Sequence, residues 1–166
     1  STSDSINKWT FGIITNGKKN PWVLELIESI QFQKIPSYEV LIVGPNPYLK
    51  SDLCKPEEVK ILEDVLLLED KRPPISMKKN KIIKQALFNN ICILHDRYLL
   101  PQSWFQKFKL YGNYFDILCL KTLNLEGIRY SVDWMKFNYP MTSRFKLNRA
   151  LLYDEWHEEV IIPGGA

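Results

Sequence analysis

The sequence predicts an α/β fold, a mostly parallel, Rossmann-like sheet flanked by helices, on three observations. Apolar, β-branched runs of strand length recur at Trp9–Thr15, Tyr38–Val43 and Ile91–Leu94. Segments with apolar residues at helical spacing lie between them. Turn formers punctuate the joins, notably Asn16-Gly17, Gly44-Pro45-Asn46-Pro47 and Pro73-Pro74. The resulting order, β-α-β-β-α-β-α-β, is that of a doubly wound sheet, because a strand-helix-strand crossover makes its two strands parallel.

The first strand, Trp9 to Thr15, ends on the turn Thr15-Asn16-Gly17. Asn20 then caps a helix with Pro21 at its first position, and Val23, Leu24, Ile27 and Ile30 form its apolar stripe up to the break before Pro36. Tyr38 to Val43 is the second strand, and Val59 to Leu68 is apolar enough for a short third, blurred by Glu63 and Asp64. Ser76 is the expected cap of the next helix. Its apolar face is Ile82, Ile83, Ala86 and Leu87, with Lys78, Lys81, Lys84 and Gln85 turned to solvent. Ile91 to Leu94 is a strand, Pro101 to Tyr111 a helix with Trp104, Phe105 and Phe108 inward, and Phe115 to Leu120 a strand again. From Lys121 to Arg149 the alternation fails, and Tyr130, Trp134, Phe137, Tyr139 and Phe145 sit among polar residues, which reads as an edge hairpin with a long loop. These aromatics read as core before they read as a sugar-stacking cleft. The run Val160 to Ile162 is a last strand entering Pro163-Gly164-Gly165.

At 166 residues the chain suits one domain with a real core, 1–166, and its stop just after a strand and a glycine pair gives the expectation of a domain cut short at that end. A composition 45% hydrophobic and 25% charged argues for a globular protein. The net charge of +3 is too mild for a dedicated duplex-DNA binder, so no nucleic-acid partner is expected, yet it suits a phosphate-bearing ligand or peripheral contact with an anionic membrane. Cys54, Cys92 and Cys119 are odd in number and lack metal-ligand spacing, which fits a reduced, cytoplasmic protein. No apolar run reaches the roughly 20 residues of a transmembrane helix.

The chemistry concentrates in Lys78-Lys79-Asn80, then Ala86, then Leu94-His95-Asp96-Arg97. A strand that delivers ionisable side chains at its carboxyl end places them where open α/β sheets bind ligands. The plain alternatives stand beside this: Lys79 on the solvated face of a helix, Asp96 as a turn cap, and Thr15, Asn16 and Gly17 as an ordinary tight turn. The acidic run Asp154 to Glu159 reads as a solvated approach to the last strand.

In element order and motifs the chain resembles the nucleotide-sugar-binding part of glycosyltransferases of the GT-A fold, most like the large family-2 group. The resemblance covers nearly the whole chain. Family members carry an Ala-Arg-Asn tripeptide opening a helix, then an Ala, then a strand ending in Asp-x-Asp. Lys78-Lys79-Asn80 takes the first place here, Ala86 the second, and His95-Asp96-Arg97 the third, while Gly164-Gly165 matches the family's glycine pair in the acceptor-side loop. The resemblance implies a nucleotide-sugar donor held by Thr15, Asn16, Gly17, Lys79, Asn80, His95, Asp96 and Arg97, and a glycan, lipid or protein acceptor. It also implies a divalent metal, Mn or Mg, for which Asp96 and His95 are the candidates. Both outer aspartates of the motif are absent, and one carboxylate with a histidine is a weak site for a hard cation. Arg97, by contrast, suits bidentate contact with phosphate oxygens. The family's general base lies beyond the glycine pair, so no catalytic residue is assigned. Two rivals stand beside this: a nucleotidyltransferase on a similar sheet, of whose glycine-rich basic loop Gly17-Lys18-Lys19 is a faint version, and a degenerate, non-catalytic module of the same fold.

Overall fold

The computed structural model describes residues 5–18, 20–45, 57–62, 64–65, 75–112, 116–130, 135–137, 148–152, 155 and 160–161. They fall in two compact units, Ser1–Tyr114 and Phe115–Ala166.

The first unit holds strands β1 (Lys8–Ile14), β2 (Ser37–Val43), β3 (Val59–Leu62) and β4 (Ile91–His95), and helices α1 (Asn20–Phe32), α2 (Ile75–Gln85) and α3 (Trp104–Tyr111). The four strands form one sheet in the order β3-β2-β1-β4, all pairs parallel, so the expected α/β, Rossmann-like sheet is present. The chain fills one side of β1 through β2 and β3 and then crosses to place β4 on the other side. The strand order therefore reverses between β1 and β4, the switch point at which such sheets open a crevice.

Alternation along β1 divides the core between the two faces. On one face Trp9 and Phe11 meet α3: Trp9 packs edge-on to Trp104 and Phe108, with ring centroids 4.9 and 5.0 Å apart, and Phe11 lies 5.5 Å from Trp104. The inward aromatics of α3 are thus where the spacing predicts them. The end of α1 is tied to α3 through buried Gln33, whose amide nitrogen donates to Pro101 O and whose carbonyl accepts from Phe105 N. On the other face Ile14, Leu41 and Val43 enclose Ile82 of α2. Gly12 makes room there, since a Cβ at that position would run into the Ile82 side chain.

Several expectations are corrected. In α1 the buried stripe is Val23, Leu26, Ile27 and Ile30, with Leu24 only partly buried. Helix α2 begins at Ile75, one residue before the expected cap Ser76, and ends at Gln85, short of Ala86 and Leu87. Of its expected apolar face only Ile82 is buried; Ile83 and Leu87 are exposed. Lys78, assigned to solvent by its charge, is buried at 4% exposure, because it lies one turn before Ile82 on the stripe that faces the sheet. Strand β3 stops at Leu62. Residues 116–120 are irregular, so the strand expected from Phe115 to Leu120 does not form there; Ile117 and Leu120 are exposed and Leu118 is only half-buried.

The second unit has a three-stranded antiparallel sheet, β6 (Asn148–Ala150), β5 (Met135–Phe137) and β7 (Val160–Ile161) in that order. The pairing of β5 with β6 agrees with the expected hairpin. Before it, Leu123 bridges Arg129 across a turn closed by Asn124, whose side-chain oxygen accepts from Glu126 N and Ile128 N. The Arg129 guanidinium donates to the carbonyl of buried Leu151. The aromatics Trp134, Tyr139 and Phe145, the run 156–159 and the glycine pair 164–165 lie outside the described residues.

Candidate functional site

Thr15 follows β1 directly, and Asp96 follows β4. Backbone bonds from Thr15 N to Val43 O (3.1 Å) and from Asp96 N to Ile14 O (3.1 Å) extend the ladders by one residue, which fixes both side chains at the carboxyl edge. The Thr15 hydroxyl donates to Asp96 Oδ2 at 2.8 Å, both residues buried, so this bond spans the switch point between β1 and β4. The same hydroxyl oxygen accepts from Gly17 N at 3.0 Å. Gly17 has φ +77°, where a side chain is strained, and a Cβ there would also press on the Pro45 carbonyl. Gly44 is needed for a different reason: a Cβ would strike the backbone and side chain of Thr15. The loops leaving β1 and β2 are therefore packed against each other at backbone distance.

Lys78 completes the network from α2. Its ammonium donates to Thr15 O at 3.1 Å and pairs with Asp64 Oδ1 at 3.0 Å, with both side chains largely shielded from water. A buried charge is tolerable when it is paired and hydrogen-bonded, and this one is. Neither Lys78 nor Asp64 is among the site residues expected from the sequence. The signal for Lys78 was its spacing from Ile82; for Asp64 there was only its position just after a strand.

The remaining expected residues divide. Lys79 is half-buried, and burial lowers its pKa. His95 is also half-buried; burial first, then Lys79, then Arg97 hold its imidazole below the ordinary value, with Asp96 acting the other way. Its Nε2 is buried without a hydrogen-bond partner among the described residues. Arg97, Asn16 and Asn80 are exposed. Asn16 accepts from Lys18 N at 3.0 Å, a local turn. Lys18 is exposed, Lys19 lies outside the described residues, and so does Gly164-Gly165.

The expected metal pair does not fit this geometry. Burial alternates residue by residue along Ile91 to Asp96, so His95 and Asp96 leave the strand end on opposite faces of the sheet. Asp96 shares the face of Cys92 and Leu94, while His95 shares that of Ile91 and Ile93, which pack with Ile82 of α2. One Asp96 oxygen is engaged by Thr15, and no group of three His, Cys, Asp or Glu residues suited to a metal occurs among the described residues.

No protein-family model matches the chain. No curated protein matches it either. Among solved structures, it is similar to residues 1–349 of TarS from S. aureus, at 15% identity and TM-score 0.47 over 63% of this chain and 32% of that one. The match thus spans about a third of the length of that chain. None of the described helices is long and apolar enough to cross a membrane.

Proposed function

We propose that the chain is the donor-binding domain of a glycosyltransferase, one that takes a nucleotide-activated sugar at the carboxyl edge of β1, β2 and β4 for transfer to an acceptor hydroxyl. The observation that carries this reading is the Thr15 to Asp96 bond. It lies at the strand-order reversal, where open α/β sheets receive ligands, and Asp96 occupies the middle of the segment that resembles Asp-x-Asp. In this reading Asp96 and Thr15 form the floor of the site, and the Gly17 and Gly44 loops wall it. Lys79 and Arg97 face the phosphates, whose charge grows as the sugar leaves.

A second reading, a binding module that has lost catalysis, is favoured by one specific observation. Lys78 is spent on Asp64 and Thr15, so this edge is held together by its own polar groups.

Calorimetric titration of UDP, GDP and CDP into the wild type and Asp96→Asn tests the proposal. One nucleotide is expected to bind, and to bind at least tenfold more weakly in the variant. A wild type that binds none of them overturns it. Binding without sugar transfer or donor hydrolysis selects the second reading.

A further inference from the structure

Resting on the donor-site reading, we infer that Lys78 is the positioning residue of this site: through the Thr15 carbonyl it sets the turn that holds the Thr15 hydroxyl on Asp96, with Asp64 as its anchor. Strand β1 ends at Ile14, so the Thr15 carbonyl lies past the last paired residue of the strand, and Lys78 Nζ supplies its donor at 3.1 Å. That carbonyl belongs to the planar peptide joining Thr15 to Asn16, so pinning it orients the chain that enters the turn. Two residues on, Gly17 N returns to Thr15 Oγ1 at 3.0 Å, and the same hydroxyl donates to Asp96 Oδ2 at 2.8 Å. Lys78, the turn and Asp96 thus form one chain of contacts. Its other end is equally fixed. Asp64 Oδ1 accepts from Lys78 Nζ at 3.0 Å and from Val65 N at 2.9 Å, and Val65 packs on the core cluster that contains Ile82. A lysine in the first turn of a helix opposes the helix dipole, and burying it adds a desolvation cost. An apolar residue would fill this place, one turn before Ile82, without either cost; what the ammonium adds is the bond to Thr15. Groups held in place before a ligand arrives need no ordering on binding, so nucleotide affinity depends on the Lys78 bond.

The test uses the full chain, the double variant Lys78→Met with Asp64→Asn, and the conservative Lys78→Arg. Removing Lys78 alone strands a shielded carboxylate, whereas the double variant leaves no unpaired charge, so its stability in urea is expected near that of the wild type. Amide hydrogen exchange at Gly17 reads the turn. Exchange at Phe88, whose N–H is donated to Thr10 Oγ1 at the other end of the sheet, is the control. In the double variant Gly17 exchange is expected to quicken about tenfold with Phe88 unchanged, and affinity for whichever of UDP, GDP and CDP the wild type binds to fall about tenfold. Lys78→Arg, which keeps a charged donor, is expected to recover most of both. Wild-type exchange at Gly17 in the double variant makes Lys78 only a partner of Asp64, and overturns the inference while the donor reading stands. So does a change in affinity without a change in exchange, or the reverse, in a protein that binds nucleotide. Faster exchange at Gly17 in a protein that binds no nucleotide supports the positioning and removes the donor reading. If the double variant does not fold, Asp64→Asn, which keeps an acceptor for Lys78, decides alone: quicker exchange at Gly17 is expected, and unchanged exchange overturns the inference.

Discussion

The two ends of the sheet each carry a buried threonine, Thr10 within β1 and Thr15 just after it, that donates to a buried acid, Glu39 within β2 and Asp96 just after β4, and they differ in what happens next. At the amino end Thr10 Oγ1 donates to Glu39 Oε1 at 2.9 Å. Glu39 also accepts from Leu87 N and from Lys60 Nζ, the latter at 3.2 Å, and Thr10 accepts from Phe88 N. Donors surround both oxygens of that carboxylate, and what they fix is the connection from α2 into β4. At the carboxyl end Asp96 takes one side-chain bond among the described residues, from Thr15. The first network is a closed structural latch. Among the described residues the second engages one carboxylate oxygen, Asp96 Oδ2, at the edge where the strand order reverses. A buried polar cluster is therefore not a site merely by being buried; its saturation and its end of the sheet decide.

The largest effect expected is at the latch. Glu39→Ala strands a hydroxyl, a backbone N–H and a lysine, and lowers stability by about 3 kcal/mol in urea unfolding. An equal loss of nucleotide affinity, measured where the variant is still folded, would break the distinction between the ends. Gly44→Ala comes next, at about 2 kcal/mol, because the new Cβ meets the Thr15 backbone, which cannot swing aside. Here affinity is expected to fall with stability, since Thr15 must move.

Cys92, buried in the middle of β4, probes the core that both ends share. Burial pushes its thiol up from 9.0 to about 12. The unfolded thiol ionises first, so between those values the native state holds more protons and stability falls as pH rises. The slope is at most about 1.4 kcal/mol per pH unit. Denaturant titrations from pH 8 to 11 should show a steeper decline in the wild type than in Cys92→Ala; parallel curves would place water at the thiol.

The smallest effect on stability is predicted where the effect on binding is large. Asp96→Asn keeps an oxygen for the Thr15 hydroxyl and is expected to cost less than about 1 kcal/mol, while nucleotide affinity drops at least tenfold. The opposite pattern, a large loss of stability with binding intact, would make Asp96 a second latch.

By itself the sequence determined the parallel α/β sheet and most of its elements. Strand runs, helical spacing and turn formers are local signals, and Phe11, Ile13, Ile27, Trp104 and Phe108 went inward as their periodicity requires. It also marked His95-Asp96-Arg97 at a strand end, since a strand boundary is visible in an apolar run. Local signals failed where long-range contact set the outcome. Residues 116–120 are apolar enough for a strand but stay irregular and mostly exposed, and periodicity cannot supply a pairing partner. Lys78 is charged and still buried, because the compensating Asp64 comes from a distant segment that only the fold brings to 3.0 Å. The separation of Asp96 from His95 lay in the two-residue period of the strand all along. Which of the two would find Thr15, and which would face Lys79, was decided by the packing of α2 and α3 on opposite faces, an arrangement made by chain crossover and not by any residue of the motif.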